Sequence, residues 1–276
     1  DLYDTVRAVG EELCPELGIA IPVGKDSLSM KTAWQQGDEG RKVVAPVSLI
    51  VSSFAPVVDV RRTLTPQLRV DCGDTRLVLV DLGGGRNRLG GSCLAQVYGC
   101  VGRAPPDCDD AQRVRDFFAA IARLRGAGLL LAYHDRSDGG LFVTLAEMAF
   151  AGRCGVEVEF GSGGQGATVA ALFAEELGAV VQVRAEDEAR VLAALREAGL
   201  GAFSRVIGRV VSEDRISIRD ATGAVLVATR TELRRAWSET SHLMQSLRDN
   251  PDCAREEYER ATDAFDPGLY AHLSYD

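Results

Sequence analysis

A chain of 276 residues, 46% of them hydrophobic, is long enough for one large domain or two ordinary ones and can bury a sizeable core, which excludes disorder as its default state. A net charge of −9 with no dense basic run excludes general binding to nucleic acid or to an anionic membrane. No uninterrupted apolar stretch of about 18 residues offers a membrane span.

The chain begins at Asp1 without an initiator methionine and enters a helix almost at once, which suggests a piece of something longer; it shows no signal-peptide pattern. Leu2, Val6, Val9 and Leu13 share one helical face, with Pro15 and Gly18 ending the run. Ile19 to Val23 reads as a strand feeding the loop "GKDSLSM", and the apolar run Val43 to Phe54 as a partner beside it. From about Asp59 the pattern restarts. A buried strand in "RLVLVDLGGG" enters a glycine-rich turn, an amphipathic helix spans Val114 to Leu124, and a second buried strand covers residues 129–133. Leu141, Phe142, Leu145, Met148 and Ala149 recur at helical spacing until Gly152. A strand and helix follow up to Gly199, then strands over Phe203 to Val211, Ile216 to Ile218 and Ala224 to Ala228. This order is mixed α/β, a mixed sheet covered by helices on one side. The more polar tail from about Arg235, with Asn250, Pro251, Pro267 and Gly268, suits a segment laid over a surface or linking to another domain.

The seven cysteines, at 14, 72, 93, 100, 108, 154 and 253, form no CxxC pair, and most lie far from the three histidines at 134, 242 and 272. They read as reduced cytosolic thiols rather than zinc ligands. Cys93 has no activating base nearby in sequence and reads as a structural thiol.

The chemistry concentrates in "YHDRSDGGL". Alternation from the end of the strand puts Asp135 and Ser137 on one side, where a carboxylate can ligate magnesium and a hydroxyl can meet a phosphate oxygen. Gly139 and Gly140 let backbone approach closely, and the following helix offers N–H groups to an anion. The plainer reading is Asp138 as a helix N-cap with Asp135 solvated. The loop "DLGGGRNRLGGS" lacks both the Lys-Ser/Thr ending of a P-loop and the dinucleotide spacing. In "GKDSLSM", Lys25, Asp26 and Ser27 are phosphate or substrate contacts or else a solvated turn.

Taken together, "GIAIPVGKDSLSMKT", "VDLGGGRNRLGGSCLAQVYG", "AYHDRSDGGLFVTLAEMAFAGRCG", "LFAEELGAVVQVR" and "LRDNPDCAREEYE" resemble, in order along essentially the whole chain, the large form of phosphoribosylformylglycinamidine synthase, or formylglycinamide ribonucleotide amidotransferase. The resemblance implies an aminoimidazole ribonucleotide synthetase-like fold. Residues 1–57 would be the C-terminal part of the second N-terminal lobe, 58–234 the second C-terminal lobe, and 235–276 a linker toward a glutaminase domain outside these residues. It implies an ATP-dependent, cytoplasmic ligase of de novo purine biosynthesis. That enzyme converts formylglycinamide ribonucleotide, ATP and glutamine to formylglycinamidine ribonucleotide, ADP, phosphate and glutamate. Asp135 would ligate Mg2+ and Ser137 would contact ATP or ADP, with no catalytic residue in this segment and the remaining metal ligands upstream of it in the family. The implied partners are the first synthetase repeat and the glutaminase of the same polypeptide, with neither nucleic acid nor membrane. The nucleotide site of this half is either catalytic or an auxiliary one that holds ADP as a structural element.

Overall fold

A computed structural model describes residues 2–25, 27, 30–160, 164–263, 266, 272 and 274. Two compact units result: Asp1–Arg61 with Asp110–Arg115, and Arg62–Asp109 with Asp116–Asp276.

The first unit opens with α1 (Leu2–Val6), a π-type stretch over Arg7–Leu13, and α2 (Cys14–Leu17). The helical run thus passes through Pro15, just where the π-type stretch gives way to α2. It stops instead at Gly18, whose left-handed φ of 72° closes the helix on the Cys14 and Pro15 carbonyls. Residues 19–23 form no strand. The unit's strands are β1 (Lys31–Gln36) and β2 (Glu39–Val44), an antiparallel hairpin closed by Gly37 and Asp38. Gly37 takes φ 63°, which makes the Gly-Asp pair a two-residue hairpin turn. Residues 45–59 add no strand, so the Val43–Phe54 run contributes only its first two residues to a ladder. Apolar side chains of this segment stand in solvent, Phe54 at 95% exposure and Ile50 at 89%.

The second unit is built on one sheet. Its elements are β3 (Thr75–Asp81), α3 (Cys93–Val97), α4 (Ala111–Gly126) from Asp116 onward, β4 (Ala132–Asp135), α5 (Gly140–Gly152), β5 (Gly155–Glu159), α6 (Gly164–Phe173), β6 (Gly178–Arg184), α7 (Glu188–Glu197), β7 (Ser204–Val211), β8 (Ile216–Asp220), β9 (Gly223–Ala228), α8 (Arg230–Arg248) and α9 (Pro251–Arg260). Strand order is β4-β6-β3-β7-β5-β8-β9, with β5 and β8 parallel and the other pairs antiparallel. The sheet is therefore mixed. Leu77, Leu79 and Val180 join Leu141, Leu145 and Met148 of α5 in one core. Val78, Val80, Val181 and Val183 alternate with them and are equally buried, and α7 packs on β6 and β7 through the buried Val191 and Leu195. The central strands are thus covered on both faces, not one, as their unbroken apolar runs require.

The polar tail is largely helical. Thr229 caps α8 through a reciprocal box with Glu232, and α8 packs against α5 and α9. Asn250 caps α9 and Pro251 occupies its first turn, so these two residues begin a helix. Pro267 and Gly268 lie outside the described residues. No described helix is long and apolar enough to cross a membrane.

Leu145 is fully buried on the face of α5 that seats the helix behind the motif. Leu145→Ala should cost about 2–5 kcal/mol, read as a lower midpoint in denaturant unfolding.

Candidate functional site

The motif leaves the sheet at the end of β4. Register places Tyr133 opposite Val181 and Asp135 opposite Ala179, with His134 opposite Val180. Tyr133 and Asp135 thus share one face of the sheet, and His134 belongs to the other, the side of α5. Past the strand the exposures continue the alternation: Asp135 exposed, Arg136 buried, Ser137 exposed. The structure therefore brings Asp135 and Ser137 to one exposed exit. Burial and the neighbouring Asp135 carboxylate push the Tyr133 phenol well above its ordinary pKa, so at neutral pH it stands beside Asp135 as a proton donor. Among the described residues Asp135 forms no ion pair with an arginine or lysine. An exposed, uncompensated carboxylate beside a hydroxyl fits a magnesium ion that fills its other positions with water and phosphate oxygens. One carboxylate is not a complete ligand set.

The paired glycines serve the protein itself. Gly139 and Gly140 adopt left-handed φ of 78° and 67°, and a Cβ on Gly140 would lie 2.7 Å from the Leu172 carbonyl. The helix N-terminus is also partly occupied: Gly139 N–H donates to Glu175 Oε1 at 2.8 Å, and Gly140 N–H to the Ser137 carbonyl at 2.9 Å. Gly139 occupies the N-cap position, and Asp138 makes no capping bond to α5.

Glu175 Oε1 also accepts from the Cys93 N–H at 2.8 Å, so one carboxylate joins the motif to the start of α3. Cys93, Asp138 and Glu175 consequently have donor atoms within 4.8 Å of one another. Burial, then Glu175 and Asp138, raise the Cys93 thiol, which keeps it protonated and suits a structural thiol.

Beneath the exit lies a charged junction. Arg136 Nη2 donates to Asp81 Oδ1 at 2.5 Å and to the Leu177 carbonyl at 3.0 Å, and its Nε donates to the Glu176 carbonyl at 2.6 Å. Asp81 Oδ2 accepts from Gly85 N–H at 2.8 Å, which folds the glycine turn back on β3. Glu176, wholly buried, accepts from Arg88 N, Nε and Nη2 at 2.9, 2.8 and 2.7 Å. Arg88 also pairs with Asp109, and its bonds to Glu176, then to Asp109, raise its pKa further. The loop 82–92 is thus bound to protein groups rather than shaped as an open phosphate cradle. On the far face His134 Nε2 is 2.9 Å from Glu147 Oε2, and Glu147 Oε1 accepts from Trp237 Nε1 of α8 at 3.1 Å.

Lys25 Nζ donates to Ser27 Oγ at 2.7 Å in the first unit; Asp26 lies outside the described residues. Sequence reading missed Tyr133, Arg136, Glu175 and Glu176. The period-two alternation from Asp135 was a usable signal for Tyr133 and Arg136, whereas the "EEL" of residues 175–177 carries none by itself.

A mixed sheet covered by helices on both faces, with an acidic, hydroxyl-bearing exit at the end of an edge strand, defines an α/β domain. The chain belongs to the family described as AIR synthase related protein, C-terminal domain, which matches residues 76–221, more than half of its length. Residues 1–56 match the FGAR-AT PurM_N-like domain. Among solved structures, the chain is similar to PurLQS from Thermotoga maritima (15% identity, TM-score 0.49, covering 63% of this chain and 28% of that one). It is also similar to T. maritima PurL complexed with ATP (15%, 0.48, 70% and 28%) and to the hydrogenase maturation protein HypE from E. coli (24%, 0.43, 60% and 52%). With each of these TM-scores under 0.5, these likenesses carry no part of the functional reading. The chain spans 28% of the length of those Thermotoga chains.

Burial would raise the Glu176 carboxyl, but its bonds from Arg88 and the charge of Arg136 hold it below its ordinary value of 4.5. A carboxyl depressed by folding stabilises the native state above its unfolded pKa, and that contribution is lost as pH falls through the folded value. Glu176→Gln should lower stability at pH 7 by about 1–3 kcal/mol. It should also flatten the decline below pH 4.5 in thermal melts taken across an acid series.

Proposed function

We propose that this chain is part of an ATP-dependent ligase of purine biosynthesis. The enzyme converts formylglycinamide ribonucleotide, ATP, glutamine and water to formylglycinamidine ribonucleotide, ADP, phosphate and glutamate. The observation that carries the reading is the succession of the two matched domains, FGAR-AT PurM_N-like over residues 1–56 and AIR synthase related C-terminal over 76–221. The exposed pair Asp135 and Ser137, delivered by β4 in the second of these, supports a nucleotide site there. Asp135 would supply one oxygen to Mg2+ and Ser137 a hydrogen bond to ATP or ADP, and a bound magnesium would neutralise phosphate charge. Lys25, Asp26 and Ser27 are proposed phosphate or substrate contacts. In this reading residues 1–57, 58–234 and 235–276 are, in turn, the end of an N-terminal lobe, a whole C-terminal lobe and a segment leading to a glutaminase. The glutaminase and a first synthetase repeat are partners within one cytoplasmic polypeptide.

A second reading makes this half a scaffold stapled by bound ADP. It is favoured by the engagement of the Gly139 N–H with Glu175, which leaves fewer free donors to stabilise a transferring phosphoryl group and so suits holding a nucleotide rather than moving its phosphoryl group.

Asp135→Asn in the full-length polypeptide separates the two. At a scaffold site, bound ADP should be lost, and stability should fall by about 3 kcal/mol if ADP is normally present at 100 times its dissociation constant. At a catalytic site turnover falls and the melting temperature stays. Unchanged nucleotide content, melting temperature and turnover would show the stretch to be a polar loop.

A further inference from the structure

Between the two exposed residues of the exit sits the least exposed charge of the motif. The Arg136 side chain is 1% exposed, and its partner Asp81 is 7% exposed. Three acceptors hold the guanidinium: Asp81 Oδ1 and the carbonyls of Glu176 and Leu177. The Arg136 N–H donates to the Gly178 carbonyl at 2.8 Å, so both main chain and side chain of residue 136 are bound to the segment entering β6. The residues on either side, Asp135 and Ser137, are both exposed, so anchoring Arg136 inward holds the segment with these two side chains in solvent.

The residue type matters here. A planar guanidinium presents donors in a rigid fork and can satisfy a carboxylate and two carbonyls in one orientation, whereas an ammonium is a flexible point donor. Asp81 compensates the charge of Arg136, so the pair sends little net field to the exit, and its influence there is geometric.

We infer that Arg136 is a positioning residue for the metal–nucleotide site: it touches no ligand, and it sets the spacing in which Asp135 and Ser137 meet one. The inference rests on the reading of that exit as a Mg2+–nucleotide site. The experiment is ADP binding to the full-length polypeptide by calorimetry, well below the melting temperature, once with Mg2+ and once with EDTA. Arg136→Lys should weaken ADP binding in Mg2+ by roughly ten- to a hundred-fold, the usual cost of disturbing a group that orients a metal ligand, and change it little in EDTA. A purely structural role would lower the melting temperature and leave the Mg2+-dependent affinity of the folded protein intact, and that result overturns the inference. Asp135→Asn is measured alongside. If it also leaves Mg2+-dependent affinity unchanged, the reading of the exit fails and the inference falls with it. If Asp135→Asn weakens binding and Arg136→Lys does not, only the positioning role is lost. Should Arg136→Lys not fold, Asp81→Asn, which keeps the partner's size and removes its charge, decides by the same criterion.

Discussion

The guanidinium of Arg136 ties three parts of the chain that are remote in sequence: the end of β3 through Asp81, the segment before β6 through two carbonyls, and its own strand β4. Desolvating such a pair is costly, and in general it is balanced only when the remaining polar atoms are also bonded. Here they are. Asp81 takes Arg136 on one oxygen and the Gly85 N–H on the other, while Arg136 adds two carbonyls. Loss of one partner would leave a charge without compensation in the core, a penalty of roughly 3–5 kcal/mol. Next to this pair Glu176 receives Arg88 from the glycine loop, so the loop, the motif and the turn before β6 form one junction.

Tight backbone follows from that junction. Gly178 carries φ 150° where a Cβ would meet the Val80 carbonyl at 2.2 Å, and Gly83 is overlaid by the Glu176 side chain. These glycines make room for buried charge and crossing backbone, and so does Gly140. Glycine runs near a strand exit therefore have two physical causes, ligand approach and protein approach, and in this chain the described contacts are of the second kind. The same holds for the start of α5. A carboxylate at a helix N-terminus is stabilising, and Glu175 takes that position, so part of the favourable dipole is already spent on the protein's own anion.

Elements were legible where local pattern and tertiary burial agree. The apolar runs of β3, β6 and β7 and the face of α5 read directly. β4 was displaced, because 129–131 is as apolar as a strand but only Ala132–Asp135 finds ladder partners on β6. β5 and α6 escaped notice since short, glycine-flanked runs such as "GVEVEF" lack a decisive period. The β1–β2 hairpin was hidden by polar residues on both faces, leaving only its Gly-Asp turn as a sign. In α8 and α9 the polar surface outweighed the narrow stripe that packs. At the exit, alternation was enough to place Asp135 and Ser137 together. The buried charges were not legible, because an arginine or glutamate reads as surface until its partner is known, and Asp81, Arg136 and Glu176 come from separate segments.

One strand serves two environments at once, and this follows from the two-residue period of its backbone. His134 turns toward α5, where Glu147 links it to Trp237 of α8, and Arg234 of the same helix lies over the Trp237 and Phe150 rings. Tyr133 and Asp135 turn the other way, toward the exposed exit. The face that packs α5 and α8 and the face that offers a carboxylate therefore share a single backbone, whose register on β6 sets both. A slip of one residue would exchange them, placing Asp135 in the α5 interface and His134 at the exit. Arg136 opposes such a slip, since its guanidinium reaches Asp81 and the 176–177 carbonyls only when Asp135 stands opposite Ala179.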